Sequence, residues 1–191
     1  MHLPCVCAAL LLAAAAQAAP PPTRRRPLLF AAPLLKKTPK AAAEAIMRAG
    51  TTITACSVPV RHIGSGLEDA GAALRNTAGA EYAGQFLIGA ADTCTELSKS
   101  RGFDAAALEL SADGEAAFAT AAEHLGLAGR ELYVTFESGT VSLELGAELT
   151  RAANALIAAA GSIGSDDLRR GGIELRAAAA LLPGEGGPRP T

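Results

Sequence analysis

Tryptophan is absent from this 191-residue chain, and the other aromatic residues are few, with five Phe and two Tyr. Sequence-tolerant binding of single-stranded nucleic acid needs aromatic side chains on which bases stack, so their scarcity argues against that class of function. Alanine dominates the apolar residues instead. We therefore expect a core of closely packed small side chains, which buries little apolar area at about 25 cal/mol per Å² and favours support from a partner.

Acidic residues are absent before Glu44, while six basic residues lie in that stretch: Arg24, Arg25, Arg26, Lys36, Lys37 and Lys40. Of the 17 Lys and Arg, 11 therefore remain from Glu44 onward, against all 19 Asp and Glu, which gives that part a net charge of −8. An acidic body repels phosphate backbones, so nucleic-acid binding is disfavoured, and a partner with a basic or apolar docking surface is favoured.

Long hydrophobic runs are also lacking. Residues 6–16 form a short apolar run that ends in Ala16-Gln17-Ala18, the pattern of a secretory signal peptide with its cleavage site, so residues 1–19 are predicted to be one. A membrane-spanning helix needs about 20 apolar residues, which this run does not reach. The chain is predicted to be peripheral to a membrane rather than to span it, and a buried N-terminal helix is the alternative for this segment.

Residues 20–43 are basic and interrupted by proline, as in organelle transit peptides, and a solvated, disordered linker explains them equally well. A signal peptide followed by such a segment resembles the bipartite presequences of plastid proteins in secondary endosymbiotic algae. The resemblance implies endomembrane targeting and then a plastid or its thylakoid lumen, with secretion as the alternative. Arg24-Arg25 also resembles a twin-arginine signal, although Pro27 and Pro33 interrupt the run that follows.

The remaining sequence predicts one helical domain over residues 44–182 and a disordered Pro/Gly-rich tail over 183–191. A first helix over 40–56 is expected to stop or kink near Val58, before Pro59. A single long helix is predicted over 65–100, because apolar residues recur every three or four positions: Leu67, Ala70, Leu74, Ala78, Tyr82, Phe86, Ala90, Cys94 and Leu97. Glycines at 71, 79, 84 and 89 weaken this helix by about 1 kcal/mol each unless a neighbouring helix approaches there.

Further along, a helix is predicted over 104–126, with a possible break at Ser111 and Gly114 and a turn over 126–129. Residues 131–145 alternate like a short hairpin, but an isolated hairpin is marginal, so a helix is preferred. Ser165 is predicted to cap a last helix over 166–182, with four residues facing inward: Leu168, Leu175, Ala179 and Leu182. Short turns between long helices then predict an all-α, up-and-down antiparallel bundle of four main helices.

Only Cys56 and Cys94 lie outside the predicted signal peptide. An unbroken helix over 65–100 would separate them by about 40 Å, far beyond the reach of a disulfide, so two buried free thiols are expected. His62 and His124 lack a Cys or His three or four residues away, and no Glu-x-x-His pair occurs, so no metal or cofactor is expected. Gly64-Ser65-Gly66 lacks the surroundings of a nucleophile or phosphate motif and is interpreted as a capped turn.

Charged residues at the predicted helix starts are therefore the candidates for contacts with a partner: Glu68, Asp69, Asp166, Asp167, Arg169 and Arg170. The first functional hypothesis is a non-catalytic accessory subunit that docks on a larger, membrane-associated assembly. In general form the chain resembles the small four-helix lumenal accessory subunits of algal photosystems, without a shared motif. The second hypothesis is a secreted helical carrier of a small apolar ligand. An enzyme ranks third, because no nucleophile and base can be grouped.

Overall fold

The computed structural model describes residues 40–75, 79–99, 110–138 and 142–182, with side chains at 136–138 excepted. All regular structure in these ranges is helical and comprises six helices: α1 (Lys40–Thr54), α2 (Val58–Leu74), α3 (Ala80–Ser98), α4 (Ala112–Ser138), α5 (Glu144–Ile163) and α6 (Asp166–Ala179). The all-α prediction is confirmed, with six helices in the described residues where four main ones were predicted. The predicted signal peptide, most of the basic segment and the C-terminal tail lie outside the described residues.

The long helix predicted over 65–100 is wrong. α2 ends at Leu74 and α3 begins at Ala80, after Gly79. This interruption rotates the buried face of the second helix, so that Leu87 is fully buried while Tyr82 is 59% exposed and Phe86 is 38% exposed. The periodic pattern had placed both aromatic residues inside because it continued one face across the break.

Pro59 follows the end of α1 and lies in the first turn of the next helix. α1 ends at Thr54, as expected, but α2 already begins at Val58 with Pro59 in its first turn, where a missing N–H costs nothing. The predicted capped turn at Gly64-Ser65-Gly66 is therefore wrong, because all three residues lie inside α2. Gly64 is buried there, and a Cβ on it would lie 2.7 Å from the carbonyl oxygen of Gly50 in α1.

α4 also runs through predicted interruptions. The turn expected over 126–129 is wrong: the helix continues to Ser138, and Gly129 packs against Gly84 of α3, where a Cβ on either glycine would lie 2.7 Å from the carbonyl oxygen of the other. Ser111 marks the start of this helix, since its hydroxyl accepts a hydrogen bond from the Gly114 amide at 3.2 Å. The hairpin alternative is wrong for the described part of 131–145, because residues 131–138 and 144–145 are helical.

The last helix follows its prediction closely. Ser165 is the N-cap of α6 and accepts a hydrogen bond from the Leu168 amide at 3.2 Å. Gly164, with a φ of 65°, ends α5 in the left-handed conformation that glycine adopts without strain. All four residues expected to face inward are buried: Leu168, Leu175, Ala179 and Leu182.

The helices form a closed circuit. Each helix packs against the next along the chain, and α6 packs back against α1. α2 runs back along α1, since Gly64 faces Gly50 while Gly71 faces Met47. α5 likewise runs back along α4, because a Cβ on Gly114 would meet Ser162 and His124 bonds Glu148. Every helix therefore has two large helix contacts, and the core lies between them.

The interior is built from small residues. Alanine supplies 18 of the 35 buried apolar residues in the described ranges, and Phe118 is the largest fully buried side chain. Ala42 and Ala43 are fully buried in α1. The packed helices therefore include residues that precede Glu44, where the domain was predicted to begin. Small side chains allow helices to approach closely, and the alanine-packed interior expected from composition is confirmed for these residues.

Candidate functional site

Four of the six predicted contact residues lie in the first two turns of α6. Asp167 and Arg170 form an ion pair with each other three positions apart, with 37% and 68% of their side chains exposed. The acids lie at the positive end of the helix dipole, as predicted. All four residues of this group are exposed or half-buried: Asp166, Asp167, Arg169 and Arg170.

The other predicted pair is not at a helix start. Because α2 begins at Val58, Glu68 and Asp69 lie in its second half, where the dipole of the helix N-terminus no longer favours them. α2 and α6 pack on α1 and not extensively on each other, so the structure does not bring the two groups into one cluster. The six residues therefore form two separate charged surfaces.

Two aromatic residues that the sequence pattern had placed in the core lie at the surface of α3. Tyr82 and Phe86 are one turn apart on the exposed side of α3, and a Cβ on Gly66 of α2 would lie 3.0 Å from the Phe86 carbonyl oxygen. Gly66 and Asp69, three residues apart, lie on the same side of α2. We call Asp69, Tyr82 and Phe86 the α2–α3 surface.

A buried polar cluster joins α4 to α5. The Glu148 side chain is only 10% exposed, and its two oxygens lie 2.7 Å from His124 Nδ1 and 2.6 Å from Arg151 NH1. Glu148 accepts both hydrogen bonds, so His124 carries a hydrogen on Nδ1 and leaves Nε2 for another partner. Glu148 and Arg151 are three residues apart on one helix, whereas His124 is 24 residues from Glu148 in sequence. From the sequence, His124 was considered only as a metal ligand, and this cluster was not found.

The same cluster lines one end of an open groove. The groove lies between α4 and α5 and has a volume of about 400 Å³, within the range of small-ligand sites. Its polar lining consists of Thr120, His124, Arg151 and Asn154, and its apolar lining consists of Ala116, Ala117, Ala155 and Ala158.

Comparison with protein-family models gave no match. Searches of curated proteins and of solved structures also found no match.

A second open groove lies between α3 and α4, on the other side of α4. Its rim is charged, with Asp92 and Lys99 from α3 and Glu123 and Arg130 from α4. Arg130 Nε donates a hydrogen bond to the Gly126 carbonyl within its own helix at 3.2 Å, so this donor is already used. Both grooves are open to solvent, and neither is an enclosed interior cavity of the kind that a carrier would use.

The two cysteines are free thiols in different surroundings. Cys94 is fully buried in α3, and this burial raises its pKa. Cys56 is half-buried between α1 and α2, with its Sγ 3.4 Å from Ser165 Oγ, and desolvation by burial is the main reason that its pKa is also raised. Neither thiol has the lowered pKa of a reactive cysteine.

The described ranges contain neither a metal-binding cluster of side chains nor a helix suited to cross a membrane. No group of three or more His, Cys, Asp or Glu side chains there is placed to hold a metal ion, and His62 is exposed on α2. None of the six helices combines the length and the apolar character needed to cross a bilayer.

Proposed function

We propose that this chain is a non-catalytic helical accessory subunit that docks on a larger, membrane-associated protein assembly after endomembrane or organellar targeting. The observation that carries the proposal is the exposure of Tyr82 and Phe86 on one face of α3. The chain has only seven Phe and Tyr residues, and two of them are exposed to solvent one helical turn apart. Aromatic side chains are enriched at the energetic centres of protein interfaces, where their burial contributes most of the affinity.

The charge around this face supports a basic partner. Asp69 is exposed on the neighbouring helix α2, three residues after Gly66, which packs against α3, and Glu81 precedes Tyr82 in the first turn of α3. Together with the net charge of −8 from Glu44 onward, these carboxylates favour a partner whose docking surface combines apolar and basic residues. The acidic and basic residues at the start of α6 form a second, separate candidate contact.

The architecture that we infer for this subunit is an up-and-down bundle in which all six helices alternate in direction. The contacts of α1 with α2, of α3 with α4 and of α4 with α5 support this arrangement. It differs from the four-helix lumenal subunits that the sequence resembled in general form. Targeting to a plastid lumen is therefore supported only by the predicted presequence, and secretion remains the alternative.

The test is size fractionation of native extracts from cells that express tagged full chain. We expect the wild-type chain to migrate with a high-mass assembly and a Tyr82→Ser, Phe86→Ser double variant to migrate as free protein. Leu181→Ser is the control, because Leu181 is 45% exposed just after the end of α6, outside both candidate contacts, and it should migrate like the wild type. Free migration of the wild-type chain, or equal behaviour of all three proteins, would contradict the proposal.

Targeting is tested separately by localising the full chain and a chain that lacks residues 1–39. Deletion stops at 39 because Ala42 and Ala43 belong to the core. We expect the full chain in an endomembrane or organellar compartment with a new N-terminus, and the shortened chain in the cytosol. If both chains are cytosolic and Met1 persists, the targeting proposal is wrong.

A further inference from the structure

The groove between α4 and α5 is polar at one end and apolar at the other. His124 and Arg151 lie at the polar end, beside Glu148, while Ala116 and Ala158 lie toward the start of α4 and the end of α5. Ala116 and His124 are eight residues apart, which is about 12 Å along the helix axis. The groove therefore has the length and the polarity to take a short chain with a polar head.

The polar end offers hydrogen-bond donors. Arg151 uses NH1 to bond Glu148, and the rest of its guanidinium is accessible because 53% of the side chain is exposed. Asn154 accepts a hydrogen bond from Arg176 NH1 through Oδ1 at 3.4 Å, which leaves its amide N–H groups as donors. A carboxylate can only accept hydrogen bonds, and its two oxygens suit two neighbouring donors.

Glu148 holds this end in place. Its nearly buried carboxylate bonds His124 on α4 and Arg151 on its own helix, so both side chains are fixed relative to the groove. Because Glu148 already offsets the charge of Arg151, a bound carboxylate gains only part of a full ion pair, and contact with the alanine end must contribute the rest.

We propose that this groove binds a small amphipathic carboxylate, with its head on Arg151 and Asn154 and a chain of about eight carbons along Ala116, Ala117 and Ala158. The groove is shallow and open, so the affinity is modest, with a dissociation constant of about 1 mM for a ligand of about ten non-hydrogen atoms. This binding does not depend on the α2–α3 surface, which lies on other helices. The site is therefore additional to the docking function.

The test is a titration of ¹⁵N-labelled full chain with octanoate, followed by amide chemical shifts. Acetate carries the head without the chain, and 1-octanol carries the chain without the carboxylate. We expect octanoate to shift residues 116–124 and 151–158 saturably, and the other two probes to bind at least tenfold more weakly. Equal binding of the three probes, shifts scattered over the surface, or no saturable shift would overturn the proposal.

Two exposed positions in the groove separate ligand binding from folding. Ala158→Leu fills the apolar end, and Asn154→Ala removes one donor from the polar end. Each should weaken octanoate binding by about fivefold or more. Ala177→Leu makes the same change at an exposed position of α6 and should leave binding unchanged. Unchanged octanoate affinity in both groove variants, with native amide spectra, would overturn the proposed site.

Discussion

At the scale of single residues, burial assigns side chains roles that composition alone cannot show. Cys94 and Glu148 are both polar or ionisable groups placed among alanine and leucine, but only Glu148 has hydrogen-bond partners for a charge. A buried charge is tolerated when it is paired, whereas an unpaired group stays neutral. These two residues therefore predict different responses to mutation and to pH.

Cys94 predicts a loss of stability at alkaline pH. In the unfolded chain its thiol ionises near pH 9.0, while burial raises the folded pKa well above that value. Below pH 9 both states are protonated and the thiol contributes no pH dependence. Above it the unfolded state releases a proton that the folded state keeps, so the free energy of unfolding falls by up to about 1.4 kcal/mol per pH unit.

Urea denaturation of the full chain at several pH values from 7 to 11 measures this slope, with Cys94→Ala as the control. The wild type should lose stability more steeply than the variant above pH 9, and a thiol reagent should modify Cys94 only when the protein unfolds. Parallel slopes in the two proteins, or fast modification of Cys94 in native conditions, would contradict the assignment.

Glu148 and Asp167 provide a matched comparison of ion pairs. Each carboxylate pairs with an arginine three residues later, but the Glu148 side chain is 10% exposed and also bonds His124, whereas Asp167 is 37% exposed. Glu148→Gln should lower the free energy of unfolding by about 2 to 3 kcal/mol, because it replaces a nearly buried carboxylate with a weaker acceptor for His124 and Arg151. Asp167→Asn should cost less than about 1 kcal/mol. Equal losses in chemical denaturation would show that burial is not the cause.

At the scale of helices, periodicity identified buried faces but merged neighbouring helices. Leu67 and Ala70 in α2 and Ala90, Cys94 and Leu97 in α3 are buried as the pattern predicted, although a break separates the two groups. The gap between Leu74 and Ala80 is about one and a half helical turns, so the pattern looked continuous in the sequence, and Tyr82 and Phe86 were wrongly included in it. Where a cap was visible in sequence, as at Ser165, the boundary was confirmed.

Glycines in the predicted 65–100 helix were expected to weaken it unless a neighbouring helix approaches, and α3 contains one glycine of each kind. A Cβ on Gly84 would lie 2.7 Å from the Gly129 backbone oxygen, whereas nothing lies within 4 Å of one on Gly89. Gly84→Ala should therefore destabilise the protein by about 2 to 4 kcal/mol, because two backbones must separate. Gly89→Ala should stabilise it by about 0.5 to 1 kcal/mol through helix propensity.

Thermal unfolding of both variants beside the wild type measures this difference. The two sites are five residues apart on one helix, so the pair controls for position along the chain. If both substitutions stabilise the protein, α3 and α4 do not approach as closely as the structure indicates.

At the scale of the whole molecule, the contact between α6 and α1 closes the circuit of helices. A Cβ on Gly171 would contact the Ile53 side chain and lie 3.0 Å from the Ala49 carbonyl oxygen, and Thr52 donates a hydrogen bond to Glu174 at 2.9 Å. The two ends of the domain therefore support each other. We expect α1 and α6 to unfold together rather than to fray independently.

Gly171→Val tests this closure, since its branched side chain must displace Ile53. Hydrogen exchange monitored by mass spectrometry should become faster in both α1 and α6, although the substitution lies near the C-terminal end. Ile173→Ala, at an exposed position two residues away, should leave both helices protected as in the wild type. Faster exchange confined to α6 would show that the circuit is not cooperative.

The sequence by itself determined the helical class, the alanine-packed interior and the cap at Ser165, because these depend on composition and on residues within one or two turns of each other. Only the tertiary structure decided that Tyr82 and Phe86 face solvent and that His124 meets Glu148. The first depends on the angle at which the chain re-enters a helix after Gly79, and the second on α5 lying along α4. Both features depend on how separate helices are placed relative to each other, and local periodicity carries no information about that placement.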